Sequence, residues 1–188
     1  MKGEGTRLVR GHLWIAVFCV GAMQTACSRN PEAPSEAAPT TFVQYTSEAG
    51  DFVGGGKSAR LTLATASFTP FVNDHFNAGI RQSIALTIRP FAASDVVWNL
   101  DLLSTVGRRL TVGTYENAEW IPSSPEVPGL DFVAGRGCNR STGRFEILEV
   151  VYGSNQPLDR LHVTFEQRCV GSVAALRGEL RIVADPWR

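Results

Sequence analysis

The sequence predicts an all-β protein: an antiparallel two-sheet β-sandwich that follows a signal peptide and a disordered linker. Apolar residues recur with period two beyond Thr41, which is typical of strands with one buried face. Clusters of Gly, Pro and Asn separate these runs, and no segment has the apolar spacing of a long helix. We therefore expect about eight to ten strands in two sheets, with a jelly-roll-like or barrel-like arrangement as the alternative.

Residues 1–28 have the three parts of a secretory signal peptide. Lys2, Arg7 and Arg10 precede an uncharged apolar run from Leu13 to Met23, and small residues follow. The run is eleven residues long, whereas a helix needs about twenty to span a bilayer core. We therefore expect the leader to be removed after export.

Two cleavage sites fit the end of this leader. The tripeptide Thr25-Ala26-Cys27 resembles the end of a bacterial lipobox, in which the cysteine is lipidated, although Gln24 stands where that pattern prefers an aliphatic residue. The alternative is ordinary cleavage after Ser28. We favour the lipobox, which predicts a lipoprotein of the cell envelope anchored through Cys27. The alternative predicts a periplasmic or extracellular protein.

Residues 29–40 read RNPEAPSEAAPT and predict a disordered linker. Pro, Ala, Ser and Glu dominate this segment, and almost none of its side chains could be buried in a core. The β domain then occupies residues 41–188. A chain of 188 residues has room for one ordinary domain in addition to its leader.

Four runs with strict alternation predict the clearest strands. Their inward residues are Ile84, Leu86 and Ile88; Val96, Trp98, Leu100 and Leu102; Leu161, Val163 and Phe165; and Leu176, Gly178, Leu180 and Ile182. Folding the last two runs about Gly171 places Glu166 opposite Arg177 on a polar face and Leu161 opposite Ile182 on an apolar face. This agreement between register and burial predicts a C-terminal hairpin.

The run from Arg144 to Tyr152 breaks the alternation. Phe145, Ile147 and Val151 share a parity that would also place Glu149 on the inner face. Either a β-bulge turns this carboxylate outward, or it is buried beside a partner. We favour the bulge.

Cysteine usage predicts a disulfide. Cys19 leaves with the leader and Cys27 is either acylated or removed, so that Cys138 and Cys169 remain in a compartment that permits disulfides. Closing the loop between them would contribute roughly 3 to 4 kcal/mol to stability. The alternative is two separate buried thiols.

The charge balance excludes one class of partner. Eighteen Lys and Arg residues balance eighteen Asp and Glu residues, and loss of the leader leaves 15 basic and 17 acidic residues, a net charge of −2. Such a chain lacks the basic surface that a phosphate backbone requires. We therefore expect no nucleic-acid partner.

Familiar catalytic motifs lack the context that their chemistry requires. The GKS tripeptide at 56–58 resembles the end of a phosphate-binding loop, but Asp51 stands where the first glycine belongs and a strand follows. Only His75 and His162 remain after the leader, and no G-x-S-x-G turn presents a nucleophile. No close spacing of histidines and carboxylates indicates a metal site. We predict no catalytic residue, no metal and no cofactor.

Three residues are candidates for ligand binding. Tyr115 and Trp120 lie near the proline-rich stretch from Pro122 to Pro128, where exposed aromatic rings could stack on sugars. Glu149 violates the strand pattern, and paired carboxylates can hydrolyse glycosides. Other carboxylates available for such a pair are Glu116, Glu119, Asp131, Glu146 and Glu166.

Two segments near the C-terminus carry a resemblance to a known family. PGLDFVAGRGCNRSTGRFEILEVVYG at 128–153 and FEQRCVG at 165–171, followed by AALRGELRI at 174–182, resemble a family of uncharacterised secreted bacterial β-sandwich domains. These domains carry a GRGCN signature and a second one close to FEQHCEG. The stretches at 45–58 and 112–120 are also similar, so the resemblance covers most of the mature chain.

The resemblance implies export, a β-sandwich fold and a disulfide between the signature residues Cys138 and Cys169. Two positions depart from the family pattern: Arg168 stands where His is common, and Val170 stands where Glu is common. The resemblance implies no activity.

We therefore expect an exported envelope or secreted domain that binds or displays a partner without catalysis. The partner would be a glycan or an envelope protein, and membrane contact would occur only through a lipid anchor on Cys27. The first alternative is an exported hydrolase acting on glycans. The second is a structural subunit of an envelope assembly, which would need an exposed apolar patch or an unprotected edge strand.

Overall fold

Ten β-strands and no helix form the part of the chain that this computed structural model describes, namely residues 40–73, 80–93, 95–154 and 157–184. The strands are β1 (Phe42–Ser47), β2 (Ser58–Thr62), β3 (Ala66–Asn73), β4 (Ser83–Pro90), β5 (Trp98–Leu103), β6 (Gly113–Glu119), β7 (Gly129–Ala134), β8 (Ser141–Val151), β9 (Arg160–Cys169) and β10 (Leu176–Val183). All ten belong to one compact unit, Ala38–Arg188. The all-β fold class is confirmed. The predicted leader, Cys27, the linker up to residue 39 and His75 lie outside the described residues.

The ten strands form one sheet, in the order β2-β1-β10-β9-β8-β6-β7-β5-β4-β3. Neighbouring strands are antiparallel except β6 and β7, which meet in parallel where Glu119 pairs with Gly129. This pairing joins two groups of strands into one sheet, which curls until it is nearly closed into a barrel. The predicted two-sheet sandwich is therefore wrong. Alternation shows that a strand has one buried face, but it does not show whether that face meets a second sheet or the same sheet curled round.

The inward face of the curled sheet is filled by aliphatic and aromatic side chains. The predicted inward residues Ile84, Leu86, Ile88, Trp98, Leu100, Leu102, Leu161, Val163, Phe165, Leu176, Leu180 and Ile182 are all buried. Phe132 packs in their midst, with its ring centroid 4.8 Å from that of Phe165 and 5.8 Å from that of Tyr45. Because these side chains occupy the inside, candidate ligand contacts lie on the outside of the sheet.

The C-terminal hairpin has the predicted register. Glu166 faces Arg177, Thr164 faces Glu179, His162 faces Arg181, Leu161 faces Ile182 and Val163 faces Leu180. Glycine is required at position 178, since an added Cβ would lie 2.1 Å from the ring of Phe165. The small residue in β10 therefore makes room for a large ring on β9.

The predicted bulge in β8 is confirmed. The pairing of β8 with β9 shifts register between Ile147 and Glu149, so that Leu148 is an extra residue and Glu149 comes opposite His162. The shift moves the Glu149 carboxylate to the outer face of the sheet, where a half-exposed position avoids the cost of a buried charge.

Two links tie β7 and the loop after it to β9. The Cys138–Cys169 disulfide is present, with 5.3 Å between the Cα atoms. Two residues before Cys169, the buried Gln167 side chain accepts a hydrogen bond from the main-chain N–H of Phe132 (2.8 Å) and donates one to its C=O (3.0 Å). Since β7 meets β6 only at its start, the Gln167 amide substitutes for a neighbouring strand at Phe132.

Candidate functional site

Tyr115 contributes to packing rather than to an exposed aromatic surface. Its ring stacks on that of Phe145 with 4.5 Å between centroids. Its hydroxyl donates a hydrogen bond to the main-chain O of Thr111 (3.0 Å) and accepts one from its N–H (2.8 Å). Tyr115 is half-buried, and the depression that Trp120 lines includes neither Tyr115 nor Glu149, so the structure does not bring the three together in that site.

Glu149 belongs to a network of ion pairs on the outer face of β8, β9 and β10. Its Oε1 lies 2.5 Å from Arg160 Nε, and its Oε2 lies 3.8 Å from Arg181 Nη2. Beside this group, His162 Nε2 lies 2.8 Å from Glu179 Oε1. The charged partners of Glu149 are therefore the basic groups of Arg160 and Arg181, which favours a structural role.

A shallow groove crosses the outside of the sheet from β2 to β6. Its two adjoining depressions, of about 210 and 610 Å³, share Arg177 and Gly178. The polar side chains that line the groove are Gln44, Thr46, Ser58, Arg60, Thr114, Arg144, Glu146, Thr164 and Glu166. Arg177 pairs with Glu166 at 2.7 Å, and Arg144 pairs with Glu116 at 3.6 Å. The charges of this groove therefore largely compensate one another.

The pKa of Glu166 reflects these ion pairs. Burial alone would raise its pKa, but hydrogen bonds from Arg168 and Arg177 outweigh burial and lower the pKa of this carboxyl. A carboxylate that stays ionised does not supply the proton that a general acid must donate at neutral pH. The Glu166 carboxylate therefore stabilises the contact between neighbouring strands and is not suited to act as a general acid.

Trp120 lines a separate depression of about 220 Å³, just after the end of β6. The depression is formed by Glu119, Trp120, Pro122, Arg140, Ser141, Thr142 and Val170. The Trp120 main-chain N–H donates to the O of Ser141 (2.9 Å), and its indole N–H donates to the carboxylate of Asp131. Arg81 donates to the O of Ser123 (2.9 Å) and so holds the loop that follows. The indole is therefore half-buried and held in one orientation.

The carboxylate that holds Trp120 has an unusual environment. Asp131 of β7 lies directly opposite Asp101 of β5. Burial, together with the nearby Asp101 charge, raises the pKa of Asp131 to about 6, and the Trp120 hydrogen bond opposes this rise. Burial also raises the pKa of Asp101. The two carboxyls therefore resist being ionised together, as coupled acids do.

Another depression, of about 430 Å³, lies against the disulfide. It is lined by Phe52, Gly137, Cys138, Asn139, Arg140, Cys169 and Val170. The Phe52 side chain is 53% exposed and that of Val170 63% exposed. The Arg136 guanidinium lies over the Phe52 ring, 5.0 Å from its centroid. This end of the molecule therefore presents apolar groups beside a positive charge.

The two depressions are continuous, because both are lined by Arg140 and Val170. We call their combined lining the Arg140 surface. Arg140 is exposed, and within the described part of the chain no side chain or carbonyl accepts a hydrogen bond from its guanidinium. Its main-chain O accepts a hydrogen bond from the N–H of Val170 (2.9 Å), which joins the loop that carries Cys138 to the residue that follows Cys169 at the end of β9. The Arg140 surface therefore combines a fixed backbone with an unpaired cation.

Sequence reasoning identified Trp120 but missed the other functional candidates, Arg140, Phe52 and Val170. Arg140 and Val170 follow Cys138 and Cys169 by two residues and one residue, so the disulfide itself was the signal that they lie close together. No local pattern connects Phe52 to them, since the fold brings it from the loop between β1 and β2.

Among the described residues, no three or more His, Cys, Asp and Glu side chains lie close enough together to hold a metal ion. The same part of the chain contains no helix that is long and apolar enough to cross a membrane.

Comparisons with known proteins found no match: no protein-family model, no curated protein and no solved structure is significantly similar to this chain. The resemblance to secreted domains with two cysteine signatures therefore stays a prediction. The function has to be argued from the geometry of the Arg140 surface.

Proposed function

We propose that this chain is an exported, non-enzymatic module that binds a ligand at the bacterial cell envelope through the Arg140 surface. The observation that carries the proposal is the position of Trp120. It lines a depression that continues to the unpaired Arg140 and to the exposed Phe52. Trp and Arg are the residues that most often dominate binding energy, because both combine a large contact area with directional hydrogen bonds.

The distribution of carboxylates supports binding rather than hydrolysis. Glycoside hydrolysis needs two carboxyl groups that flank the scissile bond. Glu119 is the one carboxylate in the lining of the Arg140 surface, and the Asp101–Asp131 pair lines neither of its depressions. Glu119 can therefore accept hydrogen bonds from a ligand, but it has no second carboxyl there to complete an acid–base pair.

The edges of the sheet argue against a subunit that assembles through strand pairing. β3 is one edge, and its Pro70 has no main-chain N–H to offer a neighbouring chain. β2 is the other edge, is five residues long and carries the exposed Arg60. Short edge strands, charges and prolines are the features that prevent strand addition.

Binding of purified envelope components to the full chain tests the proposal. We expect at least one glycan or envelope protein to bind, Trp120→Phe to weaken its binding, and Arg160→Gln, at the opposite end of β9 from Cys169, to leave it unchanged. Trp120→Phe keeps an aromatic ring but removes the indole, so it perturbs packing less than Ala. If none of the components binds, or if Trp120→Phe binds as well as the native chain, the proposal is wrong.

Export and lipidation are a separate part of the proposal. Intact mass spectrometry of the protein from its native host would show a diacylglyceryl group on Cys27 if the lipobox is used. An unmodified mature chain that begins after Ser28 would indicate ordinary cleavage, and a retained leader would contradict export.

A further inference from the structure

We propose that the ligand of the Arg140 surface is an acidic oligosaccharide, whose carboxylate is bound by the Arg140 guanidinium while a neighbouring sugar ring packs on Trp120. This inference rests on the proposed function, because it assumes that the surface is a binding site. It adds the charge and the chemical class of the ligand.

The charge follows from Arg140, the one basic residue in the lining of the two depressions. On the outer face of the sheet, Arg144, Arg160, Arg168 and Arg177 each form an ion pair with a glutamate, whereas Arg89, Arg108 and Arg136 resemble Arg140 in having none among the described residues but lie outside this lining. Arg140 has no such partner among the described residues, although a guanidinium offers five N–H donors. A carboxylate fits these donors in a bidentate manner, which is the strongest hydrogen-bonding geometry available to it.

Two charged residues near Arg140 also determine where the carboxylate of a ligand would bind. The guanidinium of Arg136, which is outside the lining itself, lies over the ring of Phe52 and places a second positive charge near the adjoining depression. Glu119 lies at the Trp120 end, where it would repel a carboxylate but can accept hydrogen bonds from hydroxyl groups. A ligand with its acid at Arg140 and hydroxyls at Glu119 would satisfy both ends.

The main chain of the site is held in place before any ligand binds. At Arg140 it is fixed by the hydrogen bond from Val170 and by the disulfide two residues earlier. The Trp120 ring is held by Asp131. The exposed Arg140 side chain is the group that has to be ordered by the ligand, so the entropic cost of binding falls mainly on one side chain.

A sugar fits the lining better than an extended peptide does. Thr142 and Asn139 are exposed and supply a hydroxyl and an amide. Extended peptides usually add a strand to a free sheet edge, but β8 and β9 each have neighbours on both sides. Stacking on an aromatic ring beside hydroxyl and amide groups is the arrangement that suits a sugar.

Calorimetric titration of the full chain with a short oligogalacturonate tests the inference. The matched control ligand is the same oligomer after its carboxyl groups have been reduced to primary alcohols. We expect the acidic oligomer to bind at least about tenfold more tightly than the reduced one, and high salt to weaken the acidic oligomer selectively.

Three variants locate the effect. Arg140→Gln should weaken binding of the acidic oligomer by about 10- to 100-fold, because it removes a charge-assisted bidentate contact. Arg140→Lys should lie in between, since lysine keeps the charge without the planar fork. Val170→Glu should also weaken binding, because it places a carboxylate beside Arg140 that competes with the ligand. Arg160→Gln, which removes an exposed arginine at the opposite end of β9 from the site, is the control and should bind like the native chain.

Each negative result would reject a different part of the proposal. If both oligomers bind equally well, or only a neutral glycan binds, the acidic ligand is wrong while the proposed function survives. If an acidic peptide of matched charge or anionic vesicles bind in an Arg140-dependent way and the oligomers do not, the assignment to a sugar is overturned. If Arg140→Gln keeps native affinity for the acidic oligomer, the role of Arg140 is wrong. If no glycan or envelope component binds at all, the proposed function fails as well.

Discussion

Replacing Asp131 with asparagine is expected to stabilise the protein at neutral pH, although it removes a charged group. The pKa of Asp131 is about 6 in the folded protein, against an ordinary value of 3.8. Below the ordinary value the carboxyl is protonated in both folded and unfolded states. As the pH rises towards 6 the unfolded chain loses its proton first, so the folded state is progressively disfavoured. Above the folded-state pKa the full free-energy cost of the ionised Asp131 carboxylate lowers the stability of the folded state. Asp131→Asn removes this cost.

The magnitude follows from the size of the shift. A rise of about two pKa units corresponds to about 3 kcal/mol as an upper limit. Asp131 is only partly buried, so solvent screening reduces the expected gain to about 1 to 2 kcal/mol. The substitution preserves shape, and the Asn oxygen can still accept the hydrogen bond from the indole of Trp120. The gain therefore reports the charge rather than a lost contact.

Urea unfolding between about pH 4 and pH 7, followed by tryptophan fluorescence, measures this gain. The advantage of Asp131→Asn should be small near pH 4 and reach its plateau above about pH 6. Asp101→Asn should also stabilise, because the pKa of Asp101 is raised by burial. Since the repulsion between the two carboxylates is removed by either substitution, the double variant should gain less than the sum of the single variants.

Two results would refute this reasoning. A variant that is less stable than the native chain at pH 7 would mean that the ionised carboxylate is well solvated or well paired. A gain that is the same at every pH would indicate a packing effect unrelated to titration.

Three further substitutions test the links that hold the sheet in its curled form. The variant Cys138→Ala/Cys169→Ala should lose about 3 to 4 kcal/mol of unfolding free energy, because the bridge closes a loop with a sequence separation of 31. Urea unfolding of this variant and of the oxidised native chain measures the loss. A loss near zero would show that the loop is constrained by other contacts. Gln167→Ala should cost about 2 to 4 kcal/mol, because the main-chain N–H and C=O of Phe132 both lose their partner, and faster hydrogen exchange of the Phe132 amide should accompany the loss. Gly178→Ala should cost about 1 to 3 kcal/mol or more, because its Cβ would lie 2.1 Å from the Phe165 ring; a native melting temperature would contradict this account.

Local patterns predicted individual strands because burial acts on each strand separately. The alternation at 84–88 and at 161–165 places apolar side chains on one face, and the structure buries them as expected. The bulge before Glu149 was predictable for the same reason, since a carboxylate in the core would be too costly. How the two groups of strands join into one sheet was not predictable, because they meet through the pairing of Glu119 with Gly129, which no periodicity encodes.

The candidate site was only partly predictable. Trp120 was identified because an aromatic residue beside prolines stands out in the sequence. Tyr115 has the same appearance, but a register irregularity follows it in β6, where Asn117 has a φ of 55°, and its own pairing with Phe145 keeps the ring packed on the core. For Arg140 the informative feature is the lack of a partner, and that property depends on residues distant in the sequence.

The most recognisable residues of the chain hold the fold, and this changes where function should be sought. In FEQRC, Phe165 packs in the core, Glu166 joins an ion-pair network, Gln167 supports β7 and Cys169 closes the disulfide. Each is explained without a ligand. Position 170 differs, because the N–H of Val170 donates to the main-chain O of Arg140 while its side chain is exposed in the Arg140 surface. Under the proposal above, a glutamate at this position would compete with an acidic ligand for Arg140, which Val170→Glu tests.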